Sequence, residues 1–372
     1  LIPFNVPYVP EISKQYVLEA LESNHQQGDG PFTAKASKII SSLVGGGHVL
    51  LTPSCTHALE MASMLANLGP GDEVILPSYT FTSAATAVTK FGATPVFVDI
   101  ELETKGIDVN LIREAITPMT KAISWVNYAG IAPDIEGLQS IAKEFGLFLI
   151  EDNAHGLGGT YKGEPLGSFG DFATQSFHAT KNIQCGEGGA LVINNSEYIP
   201  RAEIIREKGT DRSKFMRGEV QKYQWVDEGS SYLLAEAQSA VLLGQLEEFT
   251  STQELRYARW KKYNSELGNW CLDHEWLAPY SKELDRTVAH MYELVAPNSD
   301  DAEKFIDKMQ KGGIDARLHY QSLDYSKFGK NFKSFHREEH LSRKLSQCLV
   351  RLPLFTGLSN LETETVIKLI KR

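Results

Sequence analysis

The chain reads as an α/β protein with a mainly parallel central sheet between helices, followed by a smaller α+β C-terminal portion. Two features of the residue pattern predict this. From residue 48 to about 194, short apolar runs alternate with helical patterns, and several runs are apolar on successive residues, as expected of strands covered on both faces. After about Tyr232 the rhythm changes, and Leu233 to Leu267, which holds no proline, reads as one or two long helices.

The candidate strands are His48 to Thr52, Glu73 to Pro77, Pro95 to Ile100, Ala122 to Asn127, Leu147 to Asp152, Ala173 to Phe177 and Ala190 to Asn194. Helices with legible ends lie between them. Asp134 can cap a helix that carries Ile135, Leu138, Ile141, Ala142 and Phe145 on one face, and Gly146 can stop it. Such a βαβ rhythm places ligands at the carboxyl ends of the strands. Beyond the long helices come an apolar stretch at Met291 to Ala296, a helix from about Asp301 to Gln310 and a strand at Ala316 to Tyr320. The closing helix begins at Ser359-Asn360-Leu361-Glu362, a capping-box pattern ahead of Val366, Leu369 and Ile370. The division falls near residue 245, giving portions 1–245 and 246–372 that a long helix can bridge.

The 372 residues suffice for two domains with a large core, and 42% of them are apolar. A net charge of -10, from 37 basic and 47 acidic residues, argues against broad binding to nucleic acid or to an anionic membrane. No apolar run approaches the roughly 20 residues of a membrane helix, and the start lacks a signal-peptide pattern, so a cytoplasmic protein is expected. Cys55, Cys185, Cys271 and Cys348 are scattered, without a CxxC pair or zinc-like Cys/His spacing. Reduced thiols and no metal site follow.

Four segments carry chemistry. Ser176-Phe-His-Ala-Thr-Lys181-Asn precedes Gly186, Gly188 and Gly189, and a hydroxyl, an amine and a flexible loop at the end of an apolar run suit a phosphate-bearing aldehyde held by the lysine. A solvated loop lysine is the bland reading of the same residues. Phe148 to His155 ends a buried-looking strand in Glu151, Asp152 and, after a turn, an imidazole. Asp152 there could pair with a pyridine nitrogen or simply cap the next helix; His155 could bond a ligand oxygen or sit in the core. Thr52-Pro-Ser-Cys-Thr56 leads into a helix, where free amides and the positive end of the dipole favour an anion, or ordinary capping. Pro77-Ser-Tyr-Thr-Phe81 puts an aromatic residue where it could cover a planar ring or pack in the core.

Taken together, these segments resemble the sugar aminotransferases of the DegT/DnrJ/EryC1 family, and the similarity runs across nearly the whole chain. The resemblance implies fold type I among pyridoxal phosphate enzymes, the aspartate aminotransferase-like fold, with pyridoxal 5'-phosphate as cofactor. By position it implies that Lys181 carries the cofactor covalently, Asp152 binds the pyridine nitrogen and His155 lies near the phenolic oxygen. Phe81 would stack on the ring, while the backbone of Cys55 and Thr56 and the Ser176 hydroxyl hold the phosphate. Many relatives have asparagine at the position of Ser231, a residue that reaches the phosphate of the neighbouring subunit, so a homodimer with shared active sites is implied. His319 and Tyr320 match a segment that approaches the sugar nucleotide, although Gln321-Ser322-Leu323 depart from the proline-containing pattern that usually follows.

The activity implied is transfer of an amino group from L-glutamate to a nucleotide-linked ketosugar. Arg206 to Arg212 and Gly229 to Tyr232 resemble the members that aminate C4 of a 4-keto-6-deoxyhexose, and Lys208 and Arg212 could face the substrate diphosphate or form a solvated basic loop. Three alternatives belong to the same resemblance: amination at C3, dehydration at C3 by members with histidine in place of the lysine, and ligand sensing without catalysis. Lys181 argues against the second, and the Lys181/Asp152 pair against the third.

Overall fold

The computed structural model describes residues 1–279 and 288–372. Thirteen strands occur among them: β1 (His48–Thr52), β2 (Glu73–Pro77), β3 (Thr94–Val98), β4 (Thr120–Val126), β5 (Phe148–Asp152), β6 (Thr160–Tyr161), β7 (Glu164–Pro165), β8 (Phe172–Ser176), β9 (Gly189–Ile193), β10 (Tyr292–Val295), β11 (Arg317–Leu318), β12 (Ser334–Phe335) and β13 (Leu349–Leu352). Eight form one sheet in the order β1-β9-β8-β5-β4-β2-β3-β12. Every neighbouring pair is parallel except β1/β9 and β8/β9, so β9 alone is reversed.

Successive burial explains the unbroken apolar runs. In β2, Val74 and Leu76 pack with the helices Cys55–Leu65 and Thr82–Thr89 on one face, whereas Ile75 packs on the other with Trp125 and with Ile112 and Leu138 of the helices Val109–Ala115 and Ile135–Phe145. Each fully buried side chain of this size stabilises the fold by about 1.5–3 kcal/mol. All seven strands expected from the sequence are present, within two residues of their expected ends. The third stops at Val98 because Asp99 turns the chain away, its carboxylate accepting the N–H groups of Ile100, Leu341 and Ser342.

The reversal of β9 departs from a simple βαβ succession. No crossover helix joins β8 to β9; Phe177 to Gly188 form a hairpin loop, with the Phe177 N–H on Gly188 O and the Ala179 N–H on Gly186 O. Strand β12, two residues long, was not legible as a strand; it adds to β3 through hydrogen bonds from the N–H groups of Phe97 and Asp99 to Lys333 O and Phe335 O.

The helix ends follow the expected chemistry. Asp134 accepts the Gly137 N–H at 3.1 Å, Gly146 adopts a left-handed φ of 66°, and Ser359 and Glu362 complete their capping box. The proline-free stretch forms two helices, Glu236–Glu247 and Phe249–Asp273. The first begins at Glu236, whose buried carboxylate accepts the N–H groups of Gly30, Phe32 and Thr33 at the start of the helix Pro31–Leu43. A second sheet, β10-β13-β11, lies against Phe249–Asp273 and the helices Ser299–Lys311 and Asn360–Lys371. Its β11 covers only Arg317 and Leu318 of the expected Ala316 to Tyr320, because His319 and Tyr320 leave the strand and stack on each other 3.6 Å apart. No helix among the described residues is long and apolar enough to cross a membrane.

Candidate active site

The carboxyl ends of β1, β5 and β8 and the start of β9 meet at a cavity of about 640 Å³. Lys181 lies in the β8–β9 hairpin loop, its N–H bonded to His178 O, and its side chain lines the cavity. Burial lowers the amine from the usual lysine value to about 8, against the nearby Cys55 and the carboxylate of Asp152, which favour the ammonium. An accessible neutral amine is thus available near physiological pH.

The strand-end carboxylates divide their roles by alternation. Glu151 points away from the cavity and accepts the N–H groups of Gly167 and Phe169 and the amide of Asn127, which fastens the following loop. Of the two, Asp152 faces the cavity. Burial raises its carboxyl above the usual value, opposed by the Ala154 N–H at 3.1 Å and by the charge of Lys181. A cationic partner would relieve that cost.

His155 is held neutral by burial, then by Lys181, His290, His319 and Arg351 around it. Its Nδ1 accepts the Ala129 N–H at 3.3 Å, so the neutral ring carries its proton on Nε2, 3.1 Å from the Tyr320 hydroxyl.

The turn after β1 also fits the sequence reading. Ser54 accepts the His57 N–H and caps the helix Cys55–Leu65, and no described protein group takes the N–H of Cys55 or Thr56. Gly189 closes on this turn: a Cβ there would lie 2.4 Å from the backbone nitrogen of Cys55. Two amides beside a half-open cavity at a helix start, with the Ser176 hydroxyl on its wall, make a fitting seat for a phosphate. Phe81, 56% exposed, stands at the rim with its ring 6.0 Å from that of Tyr320.

The cavity therefore gathers Lys181, Asp152, His155, Ser176, Cys55, Thr56, Phe81, His319 and Tyr320. It does not gather Ser231, Lys208 or Arg212. Ser231 is exposed and forms a bridge with Glu207; Lys208 and Arg212 pair with the buried Glu207 carboxylate at 3.1 and 2.7 Å. Sequence reasoning missed several wall residues, among them Phe4, Asn5, His290 and Arg351. Arg351 had a readable signal, a lone charge within the apolar run Leu349-Val-Arg-Leu-Pro-Leu354. Its guanidinium lies over the Phe4 ring at 4.6 Å, donates to Leu318 O, and leaves Nε buried without a partner.

A mainly parallel sheet with one reversed strand, with Lys181, Asp152 and the open turn at Cys55 and Thr56 on one cavity, is the arrangement of the pyridoxal-phosphate-dependent transferases of fold type I. The chain belongs to the DegT/DnrJ/EryC1/StrS aminotransferase family, whose profile matches residues 8–371. It is accordingly a pyridoxal-phosphate-dependent sugar aminotransferase by family. Spr1654 of Streptococcus pneumoniae, described as a sugar aminotransferase and solved in its PMP form, superposes with a TM-score of 0.90 at 28% identity, covering 100% of this chain and 98% of that one. The spore coat polysaccharide biosynthesis protein SpsC of Bacillus subtilis is 34% identical over 258 residues, 68% of this chain and 66% of SpsC. PseC of Helicobacter pylori, an aminotransferase of pseudoaminic acid biosynthesis, shares the fold with a TM-score of 0.88 at 24% identity, over 99% and 97% of the two chains.

Proposed function

We propose that this protein transfers the amino group of L-glutamate to C4 of dTDP-4-keto-6-deoxy-D-glucose, giving dTDP-4-amino-4,6-dideoxy-D-galactose and 2-oxoglutarate. The observation that carries the transfer is the placement of Lys181, with its depressed basicity, beside Asp152 in one cavity with the open N–H groups of Cys55 and Thr56. The sugar and the position rest on the likeness of Arg206 to Arg212 and Gly229 to Tyr232 to dTDP-4-amino-4,6-dideoxygalactose transaminase, an enzyme of enterobacterial common antigen synthesis. We assign the reaction to the cytoplasm and to a homodimer.

Bound pyridoxal phosphate supplies an aldehyde for amine exchange and a conjugated ring that takes up the electron pair of the bond broken at the reacting carbon. The chain's own groups do the rest. Lys181 Nζ is the anchoring amine and, once free, moves a proton to and from the reacting carbon. Asp152 would hold the ring nitrogen through its negative charge, and the Nε2–H of His155 would bond the phenolic oxygen. Phe81, at the cavity rim, would cover the ring. The amides of Cys55 and Thr56 and the Ser176 hydroxyl hold the phosphate, with Ser231 reaching it from a neighbouring subunit. His319 and Tyr320 line the sugar's approach, while Lys208 and Arg212, held on Glu207 outside this cavity, would serve a diphosphate only where a neighbouring subunit brings it to them.

The test is the product formed from dTDP-4-keto-6-deoxyglucose and L-glutamate, identified by mass spectrometry and NMR coupling constants. A 4-amino galacto product is expected. A 3-amino product overturns the substrate assignment, whereas a 4-amino gluco product reverses only the binding face.

A further inference from the structure

We propose that His290 holds the amino nitrogen being transferred, through an Nε2 lone pair kept bare by its partners; this rests on reading the cavity as the site of amine exchange. The reasoning begins at a backbone carbonyl. Val288 O can only accept, and Asn182 Nδ2 lies 2.7 Å from it and 2.9 Å from Gln253 Oε1. Both amide hydrogens of Asn182 are thereby committed, which turns its Oδ1 to His290 Nδ1 at 3.0 Å. An amide oxygen accepts, so Nδ1 carries the proton. Burial, with the charges of Lys181, Arg256, His319 and Arg351 around it, keeps the ring neutral. The remaining nitrogen then bears a lone pair, and no described protein group bonds to it.

The adjacent ring has the opposite arrangement. His155 stacks on His290 with centroids 4.3 Å apart and planes 23° apart, and presents an Nε2–H. Side by side, the two imidazoles offer one donor and one acceptor on the cavity wall. With the His155 donor assigned to the phenolic oxygen, the His290 acceptor is the one left for the amino nitrogen, since an amine or ammonium donates.

The other wall groups are committed differently. His178 Nδ1 accepts the Thr180 N–H at 3.3 Å, and its Nε2 faces Glu187 at 3.7 Å. The His319 Nδ1 shares a hydrogen bond with the Tyr128 hydroxyl at 2.5 Å. Burial holds the Cys55 thiol and the Tyr320 phenol protonated. His290 is the ring whose partners dictate a bare nitrogen, and Asn182, the residue after Lys181, positions it.

Three measurements on the cofactor-loaded enzyme test this. In 15N NMR of histidine-labelled protein, the His290 resonance, identified by its loss in His290→Phe, is expected with Nδ1 protonated and Nε2 not; the reverse tautomer overturns the proposal. His290→Phe keeps a flat ring against His155 but removes the acceptor. Its single-turnover reaction with L-glutamate, followed by cofactor absorbance, is expected to slow about 10- to 100-fold, the effect of one hydrogen bond to a charged group. Binding of glutarate, which lacks the amine, is expected to change less than about twofold, and His290→Asn, which restores an acceptor, to recover part of the rate. Equal weakening of glutamate and glutarate makes His290 merely structural and overturns the idea. Failure of the unaltered enzyme to exchange with glutamate would instead count against the proposed donor.

Discussion

The hairpin loop that carries Lys181 and the segment from Arg206 to Tyr232 were singled out by the same kind of sequence resemblance, yet they stand in opposite situations. The first is enclosed by strand ends of its own chain, and Lys181, the site residue expected on it, lines the cavity. The second is turned outward: Ser231 is exposed, Trp225 is 80% exposed, and Lys208 and Arg212 are engaged with Glu207. A residue whose direction is fixed by sheet alternation can be assigned from one chain. The task proposed for Ser231 calls for a second chain, so a single chain locates the residue without testing it.

The comparison breaks most sharply at Lys181. Lys181→Ala is expected to reduce turnover by about 10⁴-fold or more while thermal melting stays near that of the unaltered protein, since anchor and proton carrier are lost together. Near-native single-turnover transfer in this variant would move the site elsewhere.

Asp152→Asn is expected to retain the cofactor and lose about 10²- to 10³-fold in turnover, because an amide cannot hold a pyridine nitrogen protonated as a carboxylate does. It also gives a pH signature. The Asp152 charge favours the Lys181 ammonium, so the pH at which cofactor-free protein becomes reactive toward pyridoxal phosphate, about 8 from the lowered lysine, is expected to fall in the variant. An unchanged profile together with an unchanged rate would make Asp152 a structural cap.

Gly189→Ala tests the wall between the loop and the phosphate turn. Its Cβ would meet the Cys55 nitrogen at 2.4 Å, so a loss of about 1–3 kcal/mol in denaturant unfolding is expected, with weaker cofactor retention. Normal stability and cofactor affinity would show that the turn yields easily.

The outward segment is expected to give the smallest effects. Mixing Lys181→Ala subunits with Ser231→Ala subunits, the latter impaired about tenfold by loss of a hydrogen bond to a charged phosphate, is expected to restore activity above either parent in verified heterodimers. No recovery despite a strong loss in the Ser231 variant would argue against a shared site.

The strands and the inner site were legible because alternation, capping and apolar runs are local properties. His48 to Thr52 and Glu73 to Pro77 match the observed strands, and Asp152 ends its strand as expected, whereas the strand expected to close at Phe177 ends one residue earlier, at Ser176. What escaped is not local. Strand β12 exists only through β3, the position of the break at Glu248 is marked by no adjoining proline or glycine, and His290 reaches the cavity from a segment more than a hundred residues beyond Lys181. Phe4 and Asn5 belong to the same group; Asn5 bonds Ala179 O in the lysine loop, a contact across 174 positions.

The reversed strand β9 also bears on how the enzyme comes together. Strand β1 joins the sheet only through β9, and the pairings of Gly189 with Thr52 and with Ser176 place the phosphate turn, the lysine hairpin and the serine in one row. Neither the anion seat nor the amine is in place until that hairpin has closed and captured the edge strand. Cofactor colour regained during refolding should therefore report the last stage of sheet assembly, arriving after the bulk of the helical signal rather than with it.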